Sequence, residues 1–290
     1  MKTRHLLIAA VICGLAVIEF AVARDVSLDG GPMLLAGDTP GAAATAPAKP
    51  PPTYDVNHLL APPNKYLGVA QAGDPMSVAT NRQWTAQVGK APNILSLFES
   101  FNDQFATSQV RSAYQQGALA LLRWEPNQVS MADIAAGKYD PYITKFATAA
   151  RALNLPLAMT FAHEMNGGWY SWGTKQTRPV DYVGAWRHVH DLFDRADAHN
   201  VIWVWAPNVI NPVPSVRLAP LYPGDEYVDW IGIDGYYERP RDTFRNHFLP
   251  TVRAVQPGHR TKWSLTHHSV ALLTTVESAI LSVPSWFTRR

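Results

Sequence analysis

Cysteine is almost missing from this chain: of 290 residues only Cys13 carries a thiol, and it lies in an N-terminal apolar stretch. Everything beyond it is therefore without a disulfide framework, a Cys-x-x-Cys zinc site or a thiol nucleophile. A surplus of one charge is missing as well. Lys and Arg number 25 and Asp and Glu 23, a net of +2; without Lys2, Arg4 and Glu19 the balance is 23 against 22, or +1. A nucleic-acid binder needs a basic surface to neutralise phosphates, so that class of partner is set aside, and near-neutrality points to no charged partner. Two short motifs are also absent. No Gly-x-Gly-x-x-Gly follows the first apolar run, which argues against a doubly wound dinucleotide-binding sheet. The one His-Glu pair, His163-Glu164, has Gly167 where a His-Glu-x-x-His zinc peptidase places its second histidine.

What is present is a core. Hydrophobic residues make up 47% of the chain, too many for a disordered protein. The 10 Trp and 11 Tyr often sit beside polar residues, which suits core filling for some and stacking against sugar rings or bases for others. At the N-terminus, Lys2 and Arg4 precede an apolar run, Leu6 to Ala23, broken only by Glu19 and ending in Ala21-Val22-Ala23. This reads as a signal peptide over residues 1–23 and a secreted or extracytoplasmic protein. An uncleaved anchor is the rival, weakened by the short run and by Glu19; after cleavage no stable membrane association is expected. Residues 24–63 read as an Ala/Pro-rich linker, since 7 of the 23 prolines fall between Thr39 and Pro63. Residues 64–290 form the domain.

Within that domain, short and nearly continuous apolar runs alternate with longer segments of helical spacing. The strands are expected at 66–71, 93–99, 118–124, 157–163, 201–206, 228–234 and 262–266, each apolar enough to be buried on both faces. Seven such units in series predict a (β/α)8 barrel, whose active site lies at the C-terminal ends of its strands. Those ends are polar here: Glu99 and Asn102, then Arg123, Trp124 and Glu125, then His163, Glu164 and Asn166. Trp205 and Asn208 follow, then Asp234, Tyr236 and Tyr237, and finally His267 and His268. Each has an ordinary alternative. Glu164 can be a structural carboxylate paired with Arg123, Trp169 and Trp172 can pack the barrel top, and Asp234 and Tyr236 can end a strand. Adjacent strand residues point to opposite faces, so His267 and His268 do not make a metal site.

The segment from Thr160 to Gly173, TFAHEMNGGWYSWG, sets an acid at a strand tip between a histidine and two tryptophans. That composition suits a general acid acting on a stacked sugar. It resembles the acid/base motif of glycoside hydrolase family 26, which includes many β-mannanases. The similarity extends through Ala118–Pro126, Trp203–Asn208 and Tyr222–Tyr236, and so over most of Tyr66 to Tyr237. The resemblance implies a retaining glycosidase cleaving internal β-1,4-mannan or a related β-glycan. Glu164 would protonate the leaving oxygen and later activate water, and His163, Trp169 and Trp172 would shape subsites. Tyr236 would contact the nucleophile, while Trp205, Asn208 and Asp234 occupy matching strand tips and are candidates for substrate binding. The partner is then a polysaccharide or oligosaccharide, with no cofactor and no metal.

The pattern breaks near Arg260. The family supplies a second carboxylate at the tip of strand seven, but Lys262–Val270, KWSLTHHSV, contains none. Asp234, Glu238 and Glu277 are the replacements on offer. Only 22 residues follow His268, too few for the helix, strand and helix that complete such a barrel. Residues 279–283 can form a strand, but no crossover helix fits before them. The barrel is therefore expected to be incomplete at its C-terminal end, with the edges of its first and seventh strands open. A single alteration of reading frame or gene end is the expected common cause of both departures. The alternative function is a catalytically impaired carbohydrate-binding protein.

Overall fold

The structure, a computed structural model, describes residues 51–61, 66–70, 73–210, 215–237 and 239–255, and the backbone of two further strands, Ser269–Thr274 and Ala279–Val283. The signal segment, the first part of the linker, the strand expected at 262–266, and His267, His268, Glu238 and Glu277 lie outside the described residues. Among the described residues no helix is long and apolar enough to cross a membrane.

Seven strands run parallel in chain order: β1 (Leu67–Val69), β2 (Ile94–Ser100), β3 (Leu119–Glu125), β4 (Leu157–Phe161), β5 (Val201–Trp205), β6 (Trp230–Gly235) and β7 (Ser269–Thr274). The connections carry helices: α1 (Asn57–Leu60) precedes β1, α2 (Val78–Val88) and α3 (Thr107–Gln115) follow β1 and β2, and α4 (Met131–Ala135) and α5 (Asp140–Leu153) follow β3. Then α6 (Pro179–Arg195) follows β4 and α7 (Leu249–Val255) follows β6. The C-terminal departure is real, but the edges do not stay open. Strand β8 (Ala279–Val283) pairs antiparallel with both β7 and β1 and closes the ring. Only residues 275–278 separate β7 from β8. A parallel return needs a crossover of about a dozen residues or more, whereas a short connection permits a hairpin, so the last βα unit is replaced by one.

Strand alternation sorts side chains into two layers. Ile94, Leu119, Leu121, Ala158, Ile202, Val204, Ala206 and Trp230 fill the barrel interior. Their neighbours Leu95, Leu122, Trp124, Met159, Phe161, Trp203 and Trp205 face the helices and pack with Phe146, Trp186 and Phe193. Trp124 stacks on Phe146 with centroids 4.2 Å apart. The α6 residues Tyr182, Ala185, Trp186, Val189, Leu192 and Phe193 are buried at helical spacing, and Pro179 starts the helix where its missing N–H costs nothing.

The N-terminal end of the barrel is plugged by residues assigned above to the linker. Val56 joins the interior cluster, with Tyr54, Leu59 and Leu60 against it. Trp230 Nε1 donates to the Leu60 carbonyl at 3.0 Å, while Arg151 and Asn154 donate to the carbonyls of Pro51 and Pro52. The apolar filling at this end leaves the other end for polar residues.

Candidate active site

Following the inward-facing positions toward the strand C-termini, the filling turns polar: Ser96 on β2, Arg123 on β3, Thr160 on β4 and Asp234 on β6, all buried. Arg123 Nη1 and Nη2 donate to Asp234 Oδ2 and Oδ1, both at 3.2 Å, and Arg123 Nε donates to Ser96 Oγ at 3.4 Å. Burial pushes the Asp234 carboxyl up, to about 7, and the Glu164 charge adds to this while Arg123 opposes it. Burial also works against the Arg123 charge, but Asp234 outweighs it and holds the guanidinium above its usual range. Each Asp234 oxygen accepts one guanidinium N–H, which is the geometry of an ion pair.

Above this layer stands Glu164, 7% exposed. Its Oε1 accepts from Asn208 Nδ2 at 2.7 Å and its Oε2 from Trp169 Nε1 at 2.6 Å. The chain reaches this position through two left-handed residues, Ala162 at φ 51° and Glu164 at φ 53°. Such values are uncommon outside glycine, and here neighbouring strands fix them. Ala162 N–H donates to Trp124 O at 3.0 Å and Glu164 N–H to Ala206 O at 2.7 Å. The break in strand alternation lets both His163 and Glu164 meet groups at the barrel mouth. Gly167 keeps Trp169 in place: a Cβ there would clash with the indole at its Cζ2.

His163 is buried. Its Nε2 lies 3.3 Å from Tyr170 Oη and 3.9 Å from Glu125 Oε1, and its carbonyl accepts from Trp172 Nε1 at 2.7 Å. Burial, with Arg123 nearby, holds its pKa well below the usual imidazole value, so the ring is neutral. A depressed folded-state value means that the unfolded chain binds a proton that the folded chain refuses. The contribution is present above the unfolded value of about 6.5 and is lost as pH falls below it. Subtracting the pH–stability curve of His163→Gln from that of the parent should therefore leave a component that drops by up to about 1.4 kcal/mol per pH unit below pH 6.5. Chemical denaturation between pH 5 and 8 checks this. The difference is the right readout because Glu99, raised to about 7 by burial and Asp103, and Glu125, raised by burial, slope the other way.

The structure brings together Glu164, Asn208, Trp169 and His163 at one mouth, above the buried Asp234, with Tyr236 just beyond β6 and half exposed. Two expectations need correction. Trp172 and Trp205 were candidates for substrate contact, but each is only 1% exposed. Trp172 stacks on Tyr170 at 4.3 Å, and Trp205 packs edge-on against Tyr222. They support the loops, while Trp169, 48% exposed, presents the open ring. Asp234 also faces Arg123 rather than the mouth. Sequence reasoning offered Arg123 only as an alternative partner of Glu164, whereas it holds Asp234, and gave no role to Asn166, which brackets Asn208, or to Phe98, 54% exposed over the Arg123 guanidinium at 5.4 Å. A lone cation inside the apolar run Leu119–Trp124 was the available signal for the first. Among the described residues no cluster suits a metal ion.

Residues 132–257 match the family model for glycosyl hydrolase family 26. Endoglucanase H of Acetivibrio thermocellus is 33% identical over 175 residues, 58% of this chain and 19% of that protein. Mannan endo-1,4-beta-mannosidase A and B of Caldalkalibacillus mannanilyticus is 36% identical over 85 residues, 27% of this chain and 16% of that protein. The chain thus matches less than a fifth of the length of either relative. Among solved structures, the β-mannanase from a symbiotic protist of the termite Reticulitermes speratus superposes with a TM-score of 0.52 at 19% identity, over 66% of this chain and 70% of that one, a likeness of fold. The stretch from β4 to β6 is thus similar to glycosyl hydrolase family 26, and it lies in a barrel whose first seven strands are parallel.

Proposed function

We propose that this protein hydrolyses internal β-1,4 linkages of a mannan or related β-glycan, with Glu164 as general acid and then base. The observation that carries the reading is the placement of Glu164: buried at a strand tip of a barrel, bound through both oxygens, and beside the exposed face of Trp169. The names of the relatives, endoglucanase and mannan endo-1,4-beta-mannosidase, support a β-1,4-linked glycan as substrate. In the first step the bond from the anomeric carbon to the leaving oxygen breaks as Glu164 gives that oxygen its proton and a second carboxylate attacks the carbon. In the second, water attacks the same carbon, its proton passes to Glu164, and the second carboxylate leaves. The chain's own residues hold the acid, stack the sugar and exclude water from beneath it.

A second reading is favoured by one observation. The strand at the seventh place in the ring reads Ser269-Val-Ala-Leu-Leu-Thr274, without a carboxylate, and both oxygens of Asp234 are taken by Arg123. A site short of a nucleophile would bind glycan and not cleave it. Residues 24–290 incubated with soluble β-mannan, with and without azide or formate, separate the two. The expected result is new reducing ends without added anion. Cleavage only with the anion, a small nucleophile able to stand in for a carboxylate, would establish the binding-protein reading instead, and no cleavage in either tube would refute the hydrolase.

A further inference from the structure

Asn166 is fully buried in the loop after β4 and belongs to neither the acid/base step nor the sugar platform. Its side-chain amide is nevertheless fully engaged with the backbone of one residue. Asn166 Oδ1 accepts from Asn208 N–H at 2.8 Å, and Asn166 Nδ2 donates to the Asn208 carbonyl at 2.8 Å. Asn208 is the residue whose own Nδ2 donates to Glu164 Oε1. On its other side Asn208 bridges Asp234, with Val209 N–H donating to Asp234 O at 2.7 Å and Asp234 N–H to Pro207 O at 2.9 Å. Asn208 is past the end of β5, where no regular ladder orients it, so the clamp from Asn166 and the bridge to β6 fix the direction of its side chain.

We propose that Asn166 is a positioning residue for proton transfer, acting on Glu164 through Asn208. The chemistry is specific to the amide. One group must accept from the N–H and another donate to the carbonyl of the same residue, which asparagine does and aspartate, carrying only acceptors, does not. With the clamp gone, Asn208 turns away from Glu164 Oε1, and the carboxyl loses one of the two donors that aim it. Misplacement of a reacting group by an ångström or so costs on the order of a hundredfold in rate. In the first step the penalty falls on substrates whose leaving oxygen needs a proton.

This inference rests on the reading of Glu164 as acid/base, so its test has an arm that does not depend on turnover. In the first arm, Asn166→Ala should lower kcat on β-mannan about ten- to a hundredfold with KM within about twofold. On an aryl β-mannoside whose leaving group needs no protonation, kcat/KM, which reports the first step alone, should stay within about threefold of the parent. Asn166→Ala added to Asn208→Ala should do nothing further, because the path through Asn208 is already cut. Asn166→Asp, nearly isosteric, covers the case in which the alanine variant does not fold and should show the same split. Equal losses on both substrates, or additive losses in the double variant, would overturn the proposal. In the second arm, NMR follows the Asn208 side-chain amide signals and the exchange of its backbone N–H. Both should change on Asn166→Asp even if the parent cleaves nothing, an outcome that would reject the hydrolase reading alone. Unchanged Asn208 signals would reject the positioning role whatever the activity.

Discussion

Glu164→Gln is expected to slow hydrolysis of β-mannan by roughly a hundred- to ten-thousandfold, the usual range for a positioned general acid. The loss should be selective. A sugar leaving group departs as an alkoxide unless it is protonated, whereas an activated aryl group leaves without help, so the first step on an aryl β-mannoside should survive the substitution. The second step should fail on both substrates, because water is no longer activated. An early burst of aryl alcohol followed by a slow steady state is the expected kinetic pattern. Added azide needs no base, and in this variant it should restore turnover and yield the β-glycosyl azide, since attack on an enzyme-bound intermediate inverts a second time. If the parent instead lacks a nucleophile, azide attacks the substrate directly and yields the α product. The anomer formed therefore reports which carboxylate is missing. The geometry adds a local consequence. Asn208 and Trp169 both donate to Glu164, one to each oxygen. Glutamine has one oxygen, so one donor is turned away; the half-exposed Trp169 is the cheaper to release, and its indole should become more mobile. A Glu164→Gln variant as active as the parent on mannan would remove Glu164 from the mechanism.

Much of this site is legible in the residue order because burial leaves a strong imprint. The six runs from 66–71 to 228–234 are apolar without alternation, as strands covered on both faces must be, and each corresponds to an observed strand within a few residues. The polar residues just past them, Glu164 and Asn208 above all, then fall at one mouth because all these strands point the same way. What the sequence hides is direction. Nothing in Ala162-His163-Glu164 announces two left-handed residues, and without them His163 and Glu164 would face opposite sides of the sheet. For the same reason Trp169 and Trp172 look equivalent on paper, while Gly167 lets the first lie across the backbone and the second turns inward to the His163 carbonyl. The last part of the Pro-rich stretch is the other case. Its composition reads as linker, yet Val56 and its neighbours are apolar enough to plug the barrel floor. The eighth strand shows the limit of inference from length. A short connection excludes a crossover helix, but it does not exclude closure, because an antiparallel strand needs only a turn.

Asp234→Ala should be the most destabilising single change in the polar layer, costing about 3–5 kcal/mol, because it strands the Arg123 guanidinium in a buried site where, among the described residues, Ser96 is its one remaining hydrogen-bond partner. Arg123→Met should cost less, and the asymmetry has a physical origin. Arginine does not give up its proton in proteins, whereas Asp234 already sits near 7 through burial, so without Arg123 it can escape its desolvation cost by becoming neutral. A carboxyl whose folded value lies above its unfolded value of about 3.9 contributes stability that is present at low pH and lost as pH rises through the folded value. The cost of Arg123→Met should therefore shrink between pH 8 and pH 5, while that of Asp234→Ala, which removes the raised carboxyl itself, should grow by about 1.4 kcal/mol per pH unit as pH falls below about 7. The double variant Arg123→Met with Asp234→Leu, which replaces the pair by apolar side chains, should recover most of the stability lost by Asp234→Ala. Denaturant midpoints of the parent and the three variants at pH 5 and pH 8 decide the matter. A loss for Asp234→Ala below about 1 kcal/mol would mean that the pair is solvated rather than buried. Such a double variant also separates scaffold from chemistry. The Asn208 bridge to residue 234 is made by backbone and survives the exchange. Cleavage retained in a stable double variant would place Asp234 in the barrel's support, while cleavage lost at full stability would return it to the reacting groups.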